Sequence, residues 1–217
     1  MKNKLYVFSG LGADQRVFKY LNFGALEPQF IDWIRPETNE PIEAYARKLA
    51  AEINVEKPIL IGLSFGGMMA VEIAKLRETE NVILISSAKT AAEVPLPLRW
   101  IGKLGLNQYT PKHFLKRPNP IMDWFFGVET AQDRELLREV MHDSDEEFVY
   151  WAINQILCWK NKVVPPNYFH IHGARDRMLP LRHVKADRVI ADGGHLMVLN
   201  RAKLLNEVLD SILNRTT

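Results

Sequence analysis

The strongest restriction on the fold comes from Ile59-Leu60-Ile61-Gly62-Leu63-Ser64-Phe65-Gly66-Gly67 and the run Met68 to Leu76 that follows it. An apolar stretch of strand length meets three glycines and a serine. A nearly all-apolar stretch of helix length then begins. A strand without polar alternation is buried on both faces, and a helix with little polar surface is buried as well. A buried strand that leads straight into a buried helix belongs inside a parallel sheet covered on both sides.

The rest of the chain agrees with such a sheet. Leu5–Phe8 is a short apolar run closed by Ser9-Gly10, as a buried strand would be. Asp14 can cap a short helix to about Phe23. Phe30–Ile34 reads as a strand stopped by Pro36, and a helix follows from Pro41 to about Ile53. Its apolar positions Ile42, Tyr45, Ala46, Leu49 and Ile53 keep a helical period. Val82–Ile85, Tyr168–Ile171 and Arg188–Ala191 read as further strands, and Ala202–Asn214 as a closing amphipathic helix. These make about six mostly parallel strands with helices on both faces, an α/β fold.

Residues 91–159 break the alternation, with helical segments and prolines but no convincing strand. The spacing therefore predicts a core from residues 1–90 and 160–217 and a helical cap inserted at 91–159. In an open α/β sheet such a cap covers the carboxyl ends of the strands, where ligands bind.

Composition removes several classes of function. The 217 residues carry a net charge of only +2 with acids and bases intermixed, so no basic surface points to nucleic acid. No apolar run approaches a membrane span, and Leu5–Phe8 is too short for a signal peptide. The single cysteine, Cys158, excludes an internal disulfide and reads as a buried packing residue. A cytoplasmic protein is expected.

Gly62-Leu63-Ser64-Phe65-Gly66 fits the pattern G-x-S-x-G. Alone it is weak, since chance produces it about once in every 15 chains of this length. Between a buried strand and a buried helix it acquires a mechanism. A sharp turn there lifts a serine hydroxyl clear of its own backbone, and only small neighbours such as Gly62, Gly66 and Gly67 permit that turn. The bland alternative is an ordinary turn with a capping serine.

A serine hydroxyl needs a base within hydrogen-bond reach. Of six histidines, His195 lies in Asp192-Gly193-Gly194-His195, directly after the last strand, where two glycines allow the loop to turn back. His113, His142 and His183 read as surface or packing residues, while His170 and His172 share one strand face and lack an evident third metal ligand. The base needs an acid to orient it. Asp176, after the strand at 168–171 and a glycine, fits that role better than Asp192, which stands too close to His195 in sequence. A surface ion pair of Asp176 with Arg175 or Arg177 is the competing reading. No acid follows Val82–Ile85, where Ser86-Ser87-Ala88 stands.

Acyl transfer also needs donors for the oxygen that becomes negative. The backbone N–H groups of Phe65 and Leu11 are the candidates, with Gly10 and Gly12 giving the Ser9-Gly10-Leu11-Gly12 loop room to approach.

With these segments in hand, the chain resembles the α/β-hydrolase superfamily over almost its whole length. Within it the layout looks most like small carboxylesterases of the methylesterase and hydroxynitrile lyase type. The resemblance implies a serine hydrolase with the triad Ser64, Asp176 and His195, which occur in that family's order. It implies no metal or organic cofactor and a small apolar ester or thioester as substrate. A lyase using the same groups for proton transfer, or a small-ligand receptor on the same fold, would share these features. Two positions depart from many members, which have histidine where this chain has Ser9 and Leu63. The cap aromatics Trp100, Trp124, Phe125, Phe126, Phe148, Trp151 and Trp159 mostly form its own core, with some expected to line an acyl pocket.

Overall fold

A computed structural model describes residues 4–105 and 120–214. Six strands form one sheet: β1 (Leu5–Phe8), β2 (Pro28–Ile31), β3 (Ile59–Leu63), β4 (Asn81–Ile85), β5 (Tyr168–Gly173) and β6 (Arg188–Ile190). Their order is β2-β1-β3-β4-β5-β6, and every pairing is parallel.

The pleat sends alternate side chains to opposite faces, and each face has its own core. Leu5, Val7, Ile59, Ile61, Ile83, Ile85 and Ile171 pack with Leu205, Leu209 and Ile212 of the last long helix, α8 (Ala202–Leu213), which follows the short α7 (Met197–Asn200). Tyr6, Phe8, Leu60, Val82 and Leu84 pack on the other side against α1 (Ile42–Ala50) and α2 (Phe65–Ala74). Helix α2 is buried almost all round, as a helix whose only polar side chain is Glu72 requires.

Between β4 and β5 lie α3 (Leu96–Lys103), α4 (Pro120–Phe126), α5 (Ala131–Asp143) and α6 (Glu146–Cys158), with no strand among the described residues. Phe126, Leu137 and Val140 join the core of the α8 face, whereas Phe148 and Trp151 join that of the α1–α2 face. This segment thus touches both faces of the sheet.

Several boundaries differ from the sequence reading. The helix expected from Asp14 to Phe23 is one 3-10 turn, Gln15–Phe18, with Asp14 accepting from Arg16 N–H. Strand β2 starts at Pro28 instead of Phe30. It is an edge strand paired only with β1, and proline is tolerated at the start of an edge strand. Helix α2 starts at Phe65, immediately after Ser64. Cys158 is exposed, not buried. It ends α6 facing outward, while its neighbours Leu157 and Trp159 turn inward. His113 lies outside the described residues.

Candidate active site

The sheet order reverses between β1 and β3, since the chain runs from β1 out to β2 and returns to β3 on the other side of β1. The crevice at the carboxyl ends of two such strands is a natural ligand site. Ser64 follows β3 and Gly10 follows β1, so both stand there.

Ser64 has a left-handed backbone, φ 51° and ψ −118°. Such a conformation costs about 1–3 kcal/mol in a non-glycine residue and persists only where its surroundings enforce it. Ser64 N–H donates to Ile85 C=O at 2.9 Å, and Ser64 C=O accepts from Gly67 N–H at 3.0 Å and from Ser87 Oγ at 2.6 Å. The glycines close the turn by close approach. A Cβ at Gly62 would lie 2.4 Å from the Gly66 backbone, one at Gly66 2.3 Å from Ser9 O, and one at Gly67 2.3 Å from Ser87 Oγ.

His195 Nε2 lies 2.9 Å from Ser64 Oγ, and His195 Nδ1 lies 2.8 Å from Asp176 Oδ2. His195 and Asp176 are buried, while Ser64 is half-buried. Asp176 Oδ1 accepts from the N–H groups of Met178 and Leu179, both at 2.9 Å. Burial works against the charge of Asp176. The His195 charge and hydrogen bond, then His172 and the Leu179 N–H, outweigh it and hold the carboxyl below the usual carboxylate range. A carboxylate at Nδ1 selects the tautomer with the proton there, which leaves Nε2 free to accept from Ser64 Oγ–H.

The loops that carry the acid and the imidazole are joined to each other. Arg175 N–H donates to Gly193 C=O and Ala174 N–H to Ile190 C=O, both at 2.9 Å. A Cβ at Gly173 would lie 2.3 Å from Gly193 O, so the two chains pass closer than a side chain allows. The end of α4 and Gly127 after it hold the imidazole loop. Leu196 N–H donates to Phe126 C=O at 3.0 Å, Asn200 Nδ2 donates to Gly127 C=O at 3.0 Å, and the Phe126 ring sits 5.8 Å from the imidazole.

The alternatives weighed from sequence go elsewhere. Asp192 accepts from Arg201 Nε at 2.7 Å. Arg177 stacks on Trp124 and donates to its carbonyl. His142 is exposed, and His183 accepts at Nε2 from Arg182 Nε. His170 and His172 lie 3.4 Å apart on one strand face.

The loop after β1 reaches the serine: a Cβ on Gly10 would lie 3.6 Å from Ser64 Cβ. Its shape is set by Ala13 N–H and Trp33 Nε1, which donate to Gly10 C=O at 3.2 and 3.3 Å, and by Ser9 Oγ, which donates to Ala13 C=O at 2.7 Å. Gly12, with φ 64°, turns the loop toward Met141 of α5. Leu11 N–H belongs to this loop, and Phe65 N–H opens α2, whose positive end favours an anion. Such an arrangement can abstract a proton from Ser64 and stabilise charge on an oxygen bound beside it.

Sequence reasoning missed Trp33 and Ser87. Ser87 had a weak signal, its place after β4. Trp33 had none, because its link to Gly10 exists only across β1 and β2.

A model of the alpha/beta hydrolase family matches residues 7–208. A search of curated protein sequences finds no match. Among solved structures, a thermophilic esterase from Thermogutta terrifontis superposes with a TM-score of 0.73 at 16% identity, covering 100% of this chain and 91% of that one. An esterase from Exiguobacterium antarcticum gives 0.73 at 16% identity, covering 98% and 92%. A meta-cleavage product hydrolase from Pseudomonas fluorescens gives 0.70 at 18% identity, covering 100% and 92%. At these identities the likeness speaks for the fold.

Proposed function

The chain belongs to the alpha/beta hydrolase family, and from that premise we propose that it is a serine hydrolase cleaving small carboxylic esters or thioesters. One observation carries the reading. The line Ser64 Oγ, His195 Nε2, His195 Nδ1, Asp176 Oδ2 runs through two hydrogen bonds of 2.9 and 2.8 Å.

In this reading Ser64 attacks the acyl carbonyl as His195 Nε2 takes its proton. Asp176 holds the imidazole and stabilises its charged form. The N–H groups of Leu11 and Phe65 receive the oxyanion. His195 then protonates the leaving group, and water, activated by the same imidazole, releases the acyl group from Ser64.

The described parts of the insertion, residues 91–105 and 120–159, act as a cap over this site. Phe126, whose ring lies against His195, is the aromatic among the described residues of this segment that would meet an acyl chain. Trp151 and Trp159 serve as anchors, with Nε1 of Trp151 donating to Glu40 C=O and Nε1 of Trp159 to Glu72 Oε1. Esterases among the solved structures of the same fold support ester chemistry.

A series of p-nitrophenyl esters of graded chain length tests the reading, together with mass spectrometry of the protein quenched during turnover. We expect hydrolysis favouring short chains and an acyl adduct on the peptide holding Ser64. Turnover with the adduct on another residue, or no hydrolysis of any ester or thioester, would refute it.

A further inference from the structure

Strand β5 carries two histidines that the reaction above does not use. His170 and His172 are both 0% exposed and lie on one face of the strand. On one side of them a buried ion pair joins Lys89 Nζ to Glu93 Oε1 at 2.6 Å, and Lys89 N–H donates to Glu93 Oε2 at 2.8 Å. Lys89 Nζ stands 3.4 Å from His170 Nδ1. His170 Nε2 stands 3.4 Å from His172 Nδ1. His172 Nε2 lies 2.7 Å from Leu179 C=O and 3.4 Å from Asp176 Oδ2. Buried polar groups thus run without a break from Glu93 to His195, which meets the half-buried Ser64.

The chemistry of the end groups gives this run a direction. An ammonium only donates, and a carbonyl only accepts. With Nδ1 facing Lys89, the arrangement favours a neutral His170 with its proton on Nε2, offered to His172 Nδ1, although the Ser87 backbone carbonyl is a second acceptor beside the ring. A neutral His172 holds its own proton on Nε2, aimed at Leu179 C=O and the Oδ2 edge of Asp176. Both rings stay neutral. Burial, helped by the neighbouring His172 and Lys89, pushes His170 down to about 2, and burial also lowers His172 despite Asp176 beside it. Besides these groups and Glu93, the charged neighbours are His195, when protonated, and Asp187, which accepts from His170 N–H at 2.8 Å.

We propose that His172 is a positioning residue: its Nε2–H, fixed in one tautomer by Lys89 through His170, clamps the turn that carries Asp176. Leu179 is gripped twice, by His172 at its carbonyl and by Asp176 Oδ1 at its N–H. The Oδ2 edge is thereby held square to His195 Nδ1. Small rotations of such a group are costly, because the tautomer and direction of the base depend on it. This inference rests on the serine-hydrolase reading.

The test compares His172→Phe, which removes the donor, with His172→Gln, whose amide keeps an N–H near Nε2. With a p-nitrophenyl ester we expect His172→Phe to lower kcat about tenfold at unchanged KM. A less stabilised Asp176 carboxylate is more basic and favours the imidazolium, so the acid limb of kcat/KM should move to higher pH. His172→Gln should keep most of kcat and the wild-type limb. Wild-type kcat and pH profile in His172→Phe, or equal losses in both variants, would overturn the proposal. Should His172→Phe fail to fold, nitrogen-15 NMR of the wild-type protein decides. Neutral Nε2–H tautomers at both histidines at pH 7 are expected, and an Nδ1–H tautomer at His172 would overturn it. Ser64→Ala separates the two failures. If that variant keeps the ester rate, the function reading fails. If it loses the rate while His172→Phe behaves as wild type, the His172 proposal alone fails.

Discussion

His195 Nε2 meets Ser64 Oγ at 2.9 Å across 131 residues of chain. Two loops from different strand ends must be held to a fraction of an ångström for that contact to persist. The bonds from Ala174 and Arg175 to Ile190 and Gly193 and from Leu196 to Phe126 hold the imidazole side, and those from Ser64 N–H to Ile85 C=O and from Ser87 Oγ to Ser64 C=O hold the serine side.

Ser64→Ala removes the only hydroxyl in hydrogen-bond contact with His195 among the described residues. If the serine is the nucleophile, kcat should fall by roughly four to six orders of magnitude, with the fold retained by circular dichroism. Steady-state assay of the purified variant checks this, and a rate within tenfold of wild type would remove Ser64 from the mechanism.

Asp176→Asn keeps the shape and changes the proton inventory. Its Oδ1 position still faces two N–H donors, so the amide NH2 is turned toward His195 Nδ1. That forces the imidazole to carry its proton on Nε2, pointing at the serine it should deprotonate. A loss of kcat of about 10⁴-fold follows from the wrong tautomer, with KM nearly constant. A loss smaller than tenfold would mean that another group orients the imidazole.

Two glycines near Ser64 should respond differently in stability. Gly66→Ala drives a Cβ to within 2.3 Å of Ser9 O and 2.4 Å of Phe8 O, both backbone atoms of the β1 end. The strand and helix must separate, at about 1–3 kcal/mol or more, so Tm falls along with activity. Gly10→Ala meets Ser64 Cβ at an ordinary 3.6 Å. Its Tm should stay near wild type, while kcat/KM drops at least about tenfold, because in the proposed mechanism the new methyl would crowd a carbonyl bound at Ser64. Calorimetry and ester assay together read both, and a reversed order of the Tm values would contradict the packing.

Acid should destabilise the fold through the buried histidines. Unfolded, each takes up a proton below about pH 6.5. Folded, His170 resists protonation down to about 2, and His172 is shifted in the same direction. The unfolded state therefore binds more protons throughout that window, and stability falls with pH by up to about 1.4 kcal/mol per unit for each histidine. Asp176, held below its usual range, adds stability above its unfolded value that is lost as pH falls through the folded one. Urea unfolding at pH 7, 6 and 5 should show the slope, and His170→Asn should flatten it. An equal slope in that variant would show that His170 is not the group being titrated.

Much of the fold was legible because burial leaves a mark on sequence. β1 and β3 are unbroken apolar runs and β4 is one after its first residue, and the Ile59–Gly67 segment announces a buried strand entering a buried helix. Ends were less legible. The run after Ile31 does not extend β2, because Trp33 stacks on Phe148 and donates to Gly10 C=O. Cys158 was misjudged because a cysteine's usual burial says nothing about which side of α6 its last residue faces.

The sequence by itself determined the element types, the strand–turn–helix around Ser64 and the residue kinds able to serve as nucleophile, base and acid, since these depend on periodicity and side-chain chemistry over a few neighbouring positions. Only the tertiary structure decided the strand order, the partners Trp33 and Ser87, and the buried run from Glu93 through His170 and His172 to Asp176. Those are contacts between distant segments, and local periodicity indicates which face a residue occupies without saying what lies against it.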